Sequence, residues 1–281
     1  MVQIPPPLLI YMTKDIAIVY MVAGISSRFG GKIKQFVEVG KNDETLIECS
    51  LDQALSAGFT KIIFIVGNKT EQPFKEKFGE NYKGIPITYV LQKYDLETRD
   101  RPWGTSDALC TIQKIIDCPF VVCNGDDLYG RDSFKTLVNH LENYDDEATL
   151  GYKLINVLPE KGKTNRGIFR VNENGYVQNL EEVFDIEKLD LDKSDVKPDD
   201  FCSMNIFALH PKTVDLLCYR LGEFKKNREG DRNTECLIPN EISQLVKAKE
   251  IKMKIYPSTD KWIGVTNPGD EEIVREKLRL G

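Results

Sequence analysis

The sequence predicts an α/β fold, a Rossmann-like mixed and mostly parallel sheet with helices on both faces, joined to a small β-rich subregion. Three observations carry that expectation. Short runs of continuous Val, Ile, Phe and Tyr alternate with helix-patterned segments through the first half, as strands buried on both faces require. The second half is richer in strand-like runs. Between two of these lies Asn174-Gly175, a strong hairpin signal.

The elements follow in order. "IAIVYMV" (16–22) reads as a buried strand, followed by a glycine loop. "ETLIECSLDQALSAG" (44–58) places apolar residues at helical spacing and stops on glycine. "KIIFIVG" (61–67), "IPITYVL" (85–91) and "PFVVCNG" (119–125) are further strands, with helices expected at "QPFKEKFG" and over 105–116. Strand-like "TLGYKLI" (149–155), "GIFRVNENGYVQNLEE" (167–182) and "CSMNIFALH" (202–210) come next. Helical patterns at 211–220 and 239–249, a strand "IKMKIYP" (251–257) and a last helix at about 268–279 complete the series. The acidic segment 183–200 has little pattern and reads as a solvated loop. This divides the chain into a tail (1–14) and one domain (15–281). Within the domain, a first half spans about 15–140, a second part about 148–265, and a terminal helix 266–281.

Composition excludes several classes. No run of roughly eighteen apolar residues appears, so no membrane span is expected. The start lacks a basic leader region and carries three prolines, which predicts a cytoplasmic protein. Seven cysteines without a CxxC argue against a disulfide framework or zinc site. A net charge of −6 argues against nucleic-acid binding but not against a small anion held by a few local cations.

"AGISSRFGGKIKQF" (23–36) follows the first strand and sets glycines, serines, an arginine and lysines around one point. Backbone amides beside a guanidinium and an ammonium suit phosphate. The loop is not a Walker A sequence, because five residues separate Gly24 from Gly30 and Lys32 precedes Ile33. Nor is it a dinucleotide fingerprint, since Ser26 stands two residues after Gly24.

The loop resembles the signature of the sugar-1-phosphate nucleotidyltransferases, Ala-Gly-x-Gly-(Thr/Ser)-Arg with a later lysine. "RPWGTSDAL" (101–109), "CNGDDLYG" (123–130), "RGIFRVNENGYVQNLEE", "CSMNIFALHPKTVDLL" and "DKWIGVTNPGDEEI" resemble further segments of that family in its order. The resemblance runs from about 15 to 279. It implies a fold of the nucleotide-diphospho-sugar transferase type with a sugar-binding β subregion. It also implies Mg²⁺-dependent transfer of a nucleoside monophosphate from an NTP, most simply UTP, to glucose-1-phosphate or N-acetylglucosamine-1-phosphate.

By the same resemblance, Arg28 and Lys34 are the catalytic cations. Ala23, Gly24, Ser26, Ser27, Gln92, Gly104 and Thr105 form the nucleotide site. Gly167, Glu182 and Asn205 contact the sugar, with Ser203 in the same pocket if the register shifts. Asp126 holds the metal at the carboxyl end of its strand, and Asp127 is a second, weaker candidate. Gln92 can both donate and accept on a uracil edge. Two departures stand out: Ser26 replaces a glycine, and the family's late metal-binding acid falls on Gly264, which makes Asp260 the nearest substitute. His140 and His210 have no nucleophile nearby and read as structural. The scarcity of histidine fits a reaction that needs no general base, because a phosphate monoester with a second pKa of about 6 is already mostly dianionic at neutral pH. The partners implied are the two small-molecule substrates, with homo-oligomerisation open. Alternatives are a thymidylyl- or cytidylyltransferase, a metal-dependent glycosyltransferase of related fold, and a non-catalytic nucleotide sensor.

Overall fold

The computed structural model describes residues 14–24, 30, 32–159, 162–193, 195–265 and 269–280. The first elements are β1 (Ala17–Val22), α1 (Leu46–Leu55), β2 (Lys61–Val66), α2 (Glu71–Phe78), β3 (Asn81–Tyr82) and β4 (Ile85–Leu91). Next come α3 (Thr105–Cys110), β5 (Phe120–Asn124), β6 (Asp127–Leu128), α4 (Arg131–Asn143), β7 (Glu147–Lys153) and α5 (Leu154–Val157). A hairpin of β8 (Thr164–Val171) and β9 (Val177–Ile186) precedes β10 (Phe201–Cys202) and β11 (Phe207–Leu209). The chain closes with α6 (Pro211–Lys226), α7 (Ile238–Lys247), β12 (Met253–Pro257), β13 (Ile263–Gly264) and α8 (Asp270–Leu280).

The main sheet runs β3-β4-β2-β1-β5-β11-β7-β10-β8-β9, with β12 also paired to β7, and β13 with β6 forms a separate ribbon. β4, β2, β1 and β5 are mutually parallel, whereas β11 is antiparallel to both β5 and β7. The mixed, mostly parallel sheet expected from the sequence is therefore present.

Strand alternation feeds two cores. Ile18, Tyr20 and Val22 of β1 face one side with Ile47, Leu51, Phe74 and Phe134 of α1, α2 and α4. Ala17 and Val19 face the other, with Leu109, Val214 and Ile242 of α3, α6 and α7. Each buried aliphatic or aromatic side chain contributes roughly 1.5–3 kcal/mol, so both helical layers are fixed by this period-2 division. A third cluster joins Val39, Leu46, Leu128 and Val265 to Val274 of α8.

Three local differences from expectation have physical reasons. α4 was not anticipated, although Phe134, Leu137, Val138 and Leu141 have helical spacing and are buried. β9 continues to Ile186 into the acidic segment, because pairing with β8 persists as far as Thr164. α3 ends at Cys110 rather than 116, and the chain proceeds through successive short-range turns to Ile116.

Candidate active site

The parallel strands β1, β2, β4 and β5 end on a common edge, where ligands of such sheets bind. β1 leads into Ala23 and Gly24, β4 into Gln92, and β5 into Gly125 and Asp126. Gly24 is exposed, with nothing within 4 Å of where its Cβ would lie. Ser26, Ser27 and Arg28 lie outside the described residues.

Lys34 opens a 3-10 turn (Lys34–Phe36) that is anchored by Phe36 against Phe74, with ring centroids 4.8 Å apart. The anchor turns the Lys34 ammonium onto Asp126, 2.6 Å from Oδ2. The adjacent Asp127 points inward, accepting from Asn124 Nδ2 (2.9 Å) and the Tyr129 hydroxyl (3.2 Å). Burial first, and then the charge of Asp126, push its carboxyl up to about 7. The pair thus divides into one acid facing solvent and a cation, and one enclosed.

β13 lies antiparallel to β6 and sets Gly264 directly opposite Asp127. A Cβ on Gly264 would stand 2.5 Å from Asp127 Oδ1 and 2.7 Å from Trp262 Cη2. The position where the resemblance calls for an acid therefore does face the acid pair, but the indole fills the space a side chain needs. Asp260 Oδ2 accepts the Ser133 amide (2.7 Å) at the start of α4, so it satisfies a free helix N–H and complements the helix dipole. Asp260 accordingly caps α4 in this structure.

Gln92 is buried, and its Nε2 donates to Asp107 Oδ2 (2.9 Å) and Gly104 O (3.2 Å). Both amide protons are taken, which leaves the amide oxygen as the accepting atom. Gly104, with φ of 96°, is the N-cap of α3, and a Cβ there would strike the Cys236 carbonyl; only glycine fits. Thr105 is the first residue of α3 rather than its cap, and its hydroxyl accepts the Ile238 amide (3.0 Å) at the start of α7.

A cleft of about 190 Å³ brings Gly167, Glu182 and Asn205 together with Thr105, Ser203 and Asp127. β8 and β9 set Gly167 opposite Glu182, and burial pushes the Glu182 carboxyl up. Asn205 adopts a left-handed φ of 57°, a strained conformation for a non-glycine residue. Sequence reasoning missed Arg166, the one cation among the described residues that line this cleft. Its Nη groups donate to Thr164 Oγ1, Asn165 O and Val157 O, whereas Nε is enclosed with no partner among the described residues. Nothing in its local sequence distinguishes it, since only the β8–β9 pairing turns it inward.

His140 bonds Tyr256 and the Asp146 carbonyl, and His210 bonds Glu147; both hold local structure. All seven cysteines are free thiols. No helix among the described residues is long and apolar enough to cross a membrane.

The nucleotidyl transferase family model matches residues 30–278 of this sequence. The chain belongs to that family. Among solved structures, it is similar to a Bacillus anthracis protein assigned as a glucose-1-phosphate thymidylyltransferase, solved with sucrose. Identity is 15% and the TM-score 0.69, over 94% of this chain and 95% of that one. It is also similar to the inositol-1-phosphate CTP transferase from T. maritima (14%, TM-score 0.65, 96% and 98% covered). A UDP-glucose pyrophosphorylase solved with UDP-glucose gives 17% identity and a TM-score of 0.67, covering 95% and 99%. At these identities the likeness establishes the fold of this nucleotidyl transferase. No curated protein matches the chain significantly.

Proposed function

We propose that this nucleotidyl transferase moves a nucleoside monophosphate from an NTP, UTP in the first instance, to a sugar-1-phosphate, releasing pyrophosphate. The supporting observation is the Lys34–Asp126 pair (2.6 Å) at the strand edge, beside a cleft that gathers Gly167, Glu182 and Asn205. The phosphate of the sugar attacks the α-phosphorus in line, and pyrophosphate departs on the opposite side. No residue needs to remove a proton, because the attacking monoester is already dianionic. The residues instead hold two polyanions together and meet the charge that builds on the leaving group. Lys34 stands at the α-phosphate, Arg28 at the leaving pyrophosphate, and Arg166 adds a cation on the acceptor side. Gly167 and Glu182 take the sugar hydroxyls, with Asn205 on the same wall.

The donor set fits Mg²⁺. Asp126 offers a hard carboxylate oxygen facing solvent, and among the described residues no cluster of three or more acidic, histidine or cysteine groups could hold a metal without help. A cation with few protein ligands that completes its shell from waters and substrate phosphates is the ordinary magnesium pattern. When bound, it would neutralise phosphate charge. Asp126 would hold it, with Asp127 behind.

The test is pyrophosphate release from UTP, dTTP, CTP and ATP with a panel of sugar-1-phosphates and Mg²⁺. Release with a UTP and hexose-1-phosphate pair is expected. No release with any pair overturns the proposal, and sugar transfer from a UDP-sugar to an acceptor would make the chain a glycosyltransferase instead.

A further inference from the structure

Behind Gln92 lies a chain of polar contacts that no substrate contact explains. Lys225 of α6 places its ammonium 2.6 Å from Asp107 Oδ1 on α3. The other oxygen of the same carboxylate, Oδ2, accepts from Gln92 Nε2 at 2.9 Å, and the second Nε2 proton goes to Gly104 O at 3.2 Å. Gln92 and Asp107 are both buried. Lys225 Nζ also lies 5.8 Å over the Trp103 ring, which limits its escape from the pair.

These partners settle which way the amide points. A backbone carbonyl and a carboxylate held by a lysine only accept hydrogen bonds, so the amide nitrogen must face them. Turning the amide over would set its oxygen against two acceptors and leave both buried groups unpaired. The outward atom is therefore Oε1, which takes no hydrogen bond from the described residues and is not among the enclosed unpartnered atoms.

We propose that Lys225 and Asp107 are positioning residues that lock Gln92 with its oxygen toward the nucleobase, so that the site selects a base presenting an N–H there. The inference rests on the proposed nucleotidyl transfer, with the base set beside Gln92 because this residue directly follows β4 on the strand edge where such sheets bind ligands. Uracil and thymine offer the imide N3–H to such an acceptor, whereas cytosine at the same place offers a lone pair. An unlocked glutamine would serve either base by rotating about its last torsion. Locking removes that freedom and converts a permissive side chain into a selective one.

The experiment compares kcat/KM, and NTP affinity by calorimetry, for UTP, dTTP and CTP in wild type, Asp107→Asn and Lys225→Met. An asparagine at 107 keeps the shape but can donate to Oε1, so both amide orientations become available. Wild type is expected to favour UTP and dTTP over CTP by roughly 10- to 100-fold, the effect of leaving a buried polar group unpaired. In Asp107→Asn the ratio should fall to within about 3-fold, and Lys225→Met should move it the same way. The ratio is read within one protein, so partial unfolding of a variant does not change it. An unchanged ratio in Asp107→Asn overturns the lock, and a wild-type preference for CTP overturns the imide selection. Selective UTP binding without transfer to any sugar phosphate would sustain the lock and refute the proposed reaction. Failure to bind any NTP would overturn both.

Discussion

Gly264 is the position where the chain departs most from the pattern its sequence resembles, and Gly264→Ala tests why. The added Cβ would sit 2.5 Å from Asp127 Oδ1 and 2.7 Å from Trp262 Cη2, both far inside van der Waals contact. Neither neighbour yields easily. Asp127 is held by Asn124 and Tyr129, and the half-buried indole, its Nε1 enclosed, lies under the Arg166 guanidinium, 5.9 Å from its centroid. Overpacking of this kind costs about 2–3 kcal/mol. For a chain of this size that is a fall of roughly 3–5 °C in melting temperature. Differential scanning calorimetry of wild type, Gly264→Ala, Trp262→Leu and the double variant separates the two contacts. Trp262→Leu should recover about 1 kcal/mol of the alanine penalty as a coupling energy. A melting temperature for Gly264→Ala within about 1 °C of wild type would refute the claim that the indole and Asp127 exclude a side chain there.

Lys34→Ala removes the cation from Asp126 and should lower pyrophosphate release by about 10²-fold or more, as loss of one preorganised charge-stabilising donor does; initial rates at saturating NTP measure it. Arg99 is 2% exposed, stacks 3.7 Å from the Trp103 centroid and donates to the carbonyls of Asp231 (2.6 Å) and Thr234 (2.7 Å). Arg99→Ala should therefore destabilise the protein by about 3 kcal/mol in urea titration, through carbonyls left unpaired and a lost stack. The Asp231 carboxylate accepts from the Thr234 hydroxyl and from the amides of Thr234 and Asn233, which hold its pKa down at about 2 against an ordinary 3.8. A depressed acid stabilises the fold above its unfolded pKa and loses that contribution as pH falls through the folded value. The stability gap between wild type and Asp231→Asn should be full above about pH 4 and close toward pH 2, read from urea melts across that window.

What the sequence made legible follows from the range of the forces involved. Buried parallel strands require continuous apolar runs, so β1, β2, β4 and β5 were readable within a residue or two, and with them the edge that carries Gly24, Gln92 and Asp126. In the structure, Thr45 and Glu48 form a capping box at the start of α1. What escaped depends on contacts distant in the chain. That Asp260 caps α4 is invisible in the sequence, because the Ser133 amide it accepts lies more than a hundred residues earlier. Gln92 reads as a two-way hydrogen-bonding group until Gly104 and Asp107, at the start of α3, take its protons. Arg166 carries no local signal, because its place depends on the pairing of β8 with β9. α4 is different in kind, since the helical spacing of Phe134, Leu137, Val138 and Leu141 lies within its own sequence.

The most direct measurement is the product itself. Phosphorus NMR of a reaction holding UTP, glucose-1-phosphate and Mg²⁺ should show a nucleoside diphosphate sugar and pyrophosphate rising in equal amounts. Added pyrophosphate should run the reaction back to UTP. Nucleoside monophosphate and pyrophosphate without any diphosphate sugar, or no change in the NTP signals with any sugar-1-phosphate and base, would contradict nucleotidyl transfer to a sugar phosphate.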